Sequence, residues 1–137
     1  MRRSLLAGAL VLAVLAIGAM FYAYASALSP RGPGPDRQQV VAPIDKIDVL
    51  IRESNPPQVT VKIAAGLPSG CAQRDSYSMS RSGDTITITV LNTMPTTNLV
   101  CTALYGTYEL NVDVGSNFAP GATYTVHVND KTTTFKT

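Results

Sequence analysis

The chain has 137 residues, with 11 Lys or Arg, 9 Asp or Glu and one His, for a formal net charge of +2; this length leaves room for one domain. The charge is unevenly spread. Arg2, Arg3, Arg31 and Arg37 precede Pro43 with Asp36 as their one acidic neighbour, whereas from Pro43 onward seven Lys or Arg face eight Asp or Glu, a net of −1. No basic stripe remains to track phosphates, which excludes a nucleic-acid binder.

Residues 1–28, "MRRSLLAGALVLAVLAIGAMFYAYASAL", begin with two arginines and carry no further charge. A positive start, a long apolar run and a small-residue end make an export signal, with cleavage after Ala25 or Ala27 as the Ala-x-Ala sites allow. The same stretch reads as an uncleaved anchor. Leu5 to Ala25 spans about 31 Å as a helix, the thickness of a bilayer core. Phe21, Tyr22 and Tyr24 would then form an outer aromatic belt, with Arg2 and Arg3 inside. Either reading puts the rest of the chain outside the cytoplasm, in the periplasm, on the cell surface or secreted.

Residues 29–43, "SPRGPGPDRQQVVAP", hold four Pro and two Gly and read as a semi-extended linker. From residue 44 to 137 the apolar residues alternate instead of following helical spacing. Ile47, Val49 and Ile51 form one such run, and Val59, Val61 and Ile63 the next. "DTITITVLN" sets Ile86, Ile88 and Val90 against Thr85, Thr87 and Thr89. Tyr108, Leu110, Val112 and Val114 follow, then Tyr124, Val126 and Val128, then a last short strand with Phe135. Turn signals separate the runs at Asn55-Pro56-Pro57, Gly66 to Gly70, Ser82-Gly83-Asp84, Met94-Pro95, Pro120-Gly121 and Asn129-Asp130. The expectation is an all-β, immunoglobulin-like antiparallel sandwich of about seven strands.

Cys71 in "GLPSGC" and Cys101 in "NLVCT" are the only two cysteines. In an exported chain an even count reads first as a disulfide. Two Cys and the single His127 fall short of a tetrahedral zinc site, and no Cys-x-x-Cys is present. Closing a loop of this length restricts the unfolded chain by about 3.5 kcal/mol.

"APGATYTVHVNDKTTTF" resembles the closing hairpin of bacterial immunoglobulin-like domains, and Pro43 to Thr137 is similar to small exported domains of that kind. The resemblance implies that Pro120 and Gly121 form the corner before the strand. It also implies that Tyr124 occupies a tyrosine-corner position, with its ring in the core and its hydroxyl on nearby backbone. The chain has no Trp, so an antibody-type core does not carry over.

No catalytic set assembles from these residues. His127 falls on the outward phase, and Glu109 and Asp113 lie about 13 Å apart along a strand, too far for a glycosidase pair. Ser69 lacks the spacing of a nucleophile elbow, and Asp84 and Asp130 suit turns. The expectation is therefore a module without enzymatic activity or cofactor. It would bind a protein or glycan at the cell envelope, or serve as a structural piece there, and would contact the membrane through residues 5–25 if these stay uncleaved. Candidate contact loops are Asn55, Pro56 and Pro57; Met94, Pro95, Thr96 and Thr97 within "NTMPTTN"; and Ser116, Asn117 and Phe118 within "GSNFA". Met94, Tyr105 and Phe118 are apolar enough to matter if exposed. Pro95-Thr96-Thr97-Asn98 distantly resembles a loop of chagasin-like protease inhibitors, which implies secreted inhibition of papain-type proteases as the alternative.

Overall fold

A computed structural model describes residues 36–137; the readings made for residues 1–28 and for the linker before Asp36 lie outside the described residues. Eight strands follow in order: β1 Arg37–Val41, β2 Ile44–Arg52, β3 Gln58–Leu67, β4 Gln73–Ser82, β5 Thr85–Pro95, β6 Gly106–Gly115, β7 Thr123–Val128 and β8 Lys131–Lys136. They form two sheets. The smaller runs β2-β3-β6, and the larger is built on β5, which pairs with β1, β4 and β7, with β8 outside β7.

The period-two patterns place the core between the sheets. Val59, Val61 and Ile63 from β3 meet Ile86, Ile88 and Val90 from β5, and Leu110, Val112, Val126 and Val128 close around them, all buried. Side chains of this kind each contribute roughly 1.5–3 kcal/mol when fully removed from water. Their partners on the opposite phase, such as Thr87, Asp113 and Glu109, are exposed.

Four expectations require correction. The stretch Arg37–Val41, read as linker, is β1 and pairs in register with Leu91 to Pro95; Pro and Gly residues precede it, and Gln38 and Gln39 fall on opposite phases, so no apolar alternation marks the run. For the same reason Met94-Pro95 is not a turn between strands but the paired end of β5, a position Pro tolerates at a strand end. β4, "QRDSYSMSRS", raises the strand number to eight. It is a sheet edge exposed on nearly every residue; Ser76, Ser78, Ser80 and Ser82 fall on one phase, but the other carries Asp75, Tyr77, Met79 and Arg81, so no apolar face marks it as a strand. Finally, the larger sheet is mixed rather than antiparallel, because β5 and β7 run parallel over Thr85 to Ile88 and Thr125 to Val128. The alternation in β2 is real, but Leu50 and Ile51 are 48% and 41% exposed. β8, the strand of the larger sheet that approaches β2, is six residues long against nine.

β1 and β7 share one side of β5, β1 along its second half and β7 along its first. Asn129 fills the seam between them. Its Nδ2 donates to Ala42 O at 2.7 Å and Val90 O at 3.0 Å, its Oδ1 accepts from Val90 N at 2.9 Å, and its own N–H donates to Ile88 O at 3.2 Å. Asn129 sits at φ +50°, a left-handed conformation that Asn adopts more readily than most residues. A second amide links the sheets. Asn92, fully buried on β5, donates to Gly66 O at 2.8 Å and accepts from the Tyr108 hydroxyl at 2.7 Å. Both of its polar atoms are satisfied, as burial demands.

Asn129→Gly keeps the backbone conformation and removes the three side-chain bonds, so it should lower stability by about 2 kcal/mol in a urea melt. Asn129→Ala should lose about 1 kcal/mol more, because it also strains the positive φ. A glycine variant as stable as wild type would show that the seam closes without Asn129.

Candidate binding surface

The three candidate loops do not converge. β3 begins at Gln58 beside the end of β6, so residues 53–57 and 116–122 share one end of the sandwich with the Gly83-Asp84 turn. Thr96 and Thr97 lie at the opposite end, where β5 stops and the chain crosses to β6.

At the first end, the residues singled out for contact are partly engaged in packing. Phe118 is half-buried, its ring edge-on to Tyr124 and Phe135 with centroids 4.9 and 5.5 Å away. Arg81 of β4 lies over it, 4.6 Å from the ring centroid, and donates to Asn117 O at 2.8 Å. The buried Tyr124 accepts a hydrogen bond at its hydroxyl from Ala119 N at 2.8 Å. The loop is thereby folded back onto the core, and Phe118 packs against the core's edge with part of its ring still exposed. Ser116 is half-buried and Asn117 exposed, while Asn55 and Pro56 are exposed and joined by a cis peptide bond; Pro57 is half-buried.

The other end differs. Cys71 and Cys101 are joined, with Cα atoms 5.4 Å apart. Cys71 lies where the chain passes from β3 in the smaller sheet to β4 in the larger, and Cys101 where it returns from β5 to β6. The bond therefore ties the two inter-sheet crossings together. Gly70 donates its N–H to Thr102 O at 3.0 Å, and a Cβ at Gly70 would overlap the Thr102 side chain. Arg37 braces the same corner, donating to Cys71 O and Thr93 O, each at 2.8 Å, and to Thr93 Oγ1 at 2.9 Å. The Tyr105 ring lies over Gly66, where any side chain would collide with it, and its hydroxyl donates to Asp45 Oδ1 at 2.7 Å.

What this framework holds out is apolar. Leu99 is 61% exposed, Leu104 72%, Tyr105 53%, and Val100 fully. Thr96 to Tyr105 contains no charged residue. Of the residues read as candidates here, Thr96 and Thr97 are exposed, while Met94 and Pro95 are half-buried and Asn92 is core. Leu99, Val100 and Leu104 were not anticipated. Their signal was an apolar run that fits neither strand alternation nor helical spacing.

A groove of about 250 Å³ opens on one side of the sandwich, lined by Arg74, Asp75, Ser76, Tyr77, Tyr108 and Leu110. Beside it the register of β4 with β5 shifts at a bulge between Arg74 and Tyr77, an irregularity that bends a strand locally. Asp75 accepts from Gln39 Nε2 at 2.7 Å, and Arg74 lies 5.8 Å from the Tyr108 ring centroid. Burial raises the Tyr108 phenol above its ordinary pKa. Elsewhere His127 Nδ1 is 2.8 Å from Thr132 Oγ1, Glu109 pairs with Lys62 at 3.8 Å, and Asp113 accepts from Gly115 N. Among the described residues no group of three or more His, Cys, Asp or Glu comes together.

The two-sheet architecture agrees with comparison to known proteins. Residues 61–137 match the family described as the ORF11 beta-sandwich domain, and the chain belongs to that family. It is also 31% identical, over 87 residues, to an uncharacterized 10.2 kDa protein in the HgiCIIM 5′ region of Herpetosiphon aurantiacus, an alignment covering 64% of this chain and 90% of that one. No solved structure matches.

Replacing both cysteines by serine should lower stability by about 3.5 kcal/mol, the loop-closure entropy of the 30-residue separation, and should speed hydrogen exchange at the Gly70 amide. Unchanged stability would mean the crossings are held by packing alone. A second expectation concerns Tyr105, whose pKa is raised above 10.0 by its hydrogen bond to Asp45, with desolvation and the Asp45 charge adding in the same direction. A raised folded-state pKa means this bond stabilises below the ordinary tyrosine range and is lost as pH climbs through the raised value. Asp45→Asn should move the Tyr105 transition downward in an ultraviolet titration, and an unmoved transition would show that the bond is absent in solution.

Proposed function

We propose that the protein is a non-catalytic binding module of the cell envelope. In this reading residues 5–25 hold it at the membrane, its sandwich lies outside the cytoplasm, and it meets its partner through the disulfide-clamped loop Thr96 to Tyr105. The observation that carries this reading is the exposure of Leu99, Val100 and Leu104 on a loop that the fold holds in place. Apolar side chains displayed this way cost solubility, and contiguous apolar display marks an interaction site. The disulfide supports an extracytoplasmic location, because such bonds persist in oxidising compartments. The Tyr124 hydroxyl on Ala119 N supports an immunoglobulin-like kinship, from which the parallel β5–β7 pair departs. An uncharged apolar loop suits an apolar partner better than the glycan admitted by sequence. The inhibitor reading finds no support, since Pro95 to Asn98 lies at the end opposite the other candidate loops.

A photo-crosslinking residue at Val100 in the full-length chain, expressed in cells, should label a partner molecule, whereas the same residue at Asn55 should not. Equal labelling or none from Val100 would remove the loop from the binding surface. Intact mass of the membrane fraction checks the tether: a species beginning at Ser26 or Leu28 would mean release.

A further inference from the structure

We infer that the partner of the clamped loop is the lipid bilayer itself. Leu99, Val100 and Leu104 enter the interfacial region of the outer leaflet, and Tyr105 sits at headgroup level. This rests on the tethered reading above and names its partner.

Position is the first argument. Thr96 N–H donates to Asp36 O at 2.8 Å, and Arg37 pairs with Pro95. The described chain thus begins beside the first residue of the loop, not at the far end with residues 53–57. Ten residues, 26–35, separate Ala25 from Asp36, and fully extended they reach at most about 35 Å. An anchor in residues 5–25 therefore keeps this end of the sandwich near the bilayer. At such a tether length the effective concentration of the surface is high, and even weak insertion is populated.

Chemistry is the second. Val100 is fully exposed, with Leu99 and Leu104 more than half exposed beside it in the chain. Thr96 to Tyr105 has no charge that would need to be desolvated. Tyr105 has an apolar ring and a hydroxyl already bonded to Asp45, the amphipathic form enriched at membrane interfaces. The nearby Arg37 is occupied with Thr93 and Cys71, and Asp36 and Asp45 are acidic. Insertion is accordingly apolar and does not depend on anionic lipid or low salt. The clamp adds a third argument, since a loop already ordered by a disulfide and the Gly70–Thr102 bond loses little freedom on docking.

The chain contains no Trp, so a single introduced indole reports alone. Full-length Val100→Trp reconstituted into phosphatidylcholine vesicles should show blue-shifted emission and lose most of it when the acyl chains are brominated. Added salt should not change this. Glu53→Trp, at the opposite end, should keep its emission. Adding Leu99→Ser and Leu104→Ser to Val100→Trp should abolish the quenching while circular dichroism and the disulfide stay intact. Unquenched Val100→Trp overturns the proposal, as does equal quenching at both ends, which would mean the sandwich lies on its side. If Val100→Trp is unquenched but the crosslinker at Val100 captures a protein, the lipid assignment fails and the binding surface stands. If neither responds, both fail.

Discussion

β5 bonds to three other strands, and everything else in the larger sheet is arranged around it. A strand has two edges, so two of its partners must share one; at the junction Ala42 N–H still reaches Val90 O and Asn129 N–H reaches Ile88 O, while Val90 N and Ala42 O are met by the Asn129 side chain. The Asn129 amide is shaped for that gap, offering two donors and an acceptor where the two strand ends fail to meet. Because the same residue turns the chain from β7 into β8, the seam and the last hairpin form together. Unpaired buried amides cost more than the bonds between them return, which is why a polar side chain serves here better than an apolar one.

The two ends of the sandwich use their loops in opposite ways. At one, Phe118 is drawn into an aromatic cluster with Tyr124 and Phe135 under the Arg81 guanidinium, so that the longest loop there packs as part of the core. At the other, a covalent bond between two crossings does the holding, and the apolar side chains are left outside. Packing stabilises by hiding apolar surface, whereas a disulfide acts chiefly on the unfolded chain and leaves that surface free for something else. The contrast is what the proposed binding surface at the disulfide end rests on.

Sequence alone determined the strands whose two faces meet different media. Val59 to Ile63, Ile86 to Val90, Leu110 to Val112 and Tyr124 to Val128 alternate because one phase faces a core and the other water, and that difference is written into residue type. The pairing of Cys71 with Cys101 was also legible, since no other partner existed for either. β1 and β4 were hidden because both lie at the margins of the larger sheet, where neither face needs to be strongly apolar, and their hydrogen bonds go to a strand remote in sequence. The parallel pairing of β5 with β7 was likewise undetermined, because alternation fixes which side chains face inward and says nothing about which strand lies alongside. Only the tertiary structure decided that Phe118 is packed against the core and half-buried while Leu99, Val100 and Leu104 are exposed. Each is an apolar residue in a loop, and its exposure depends on what the remainder of the chain brings over it: an aromatic cluster in the first case, solvent in the other.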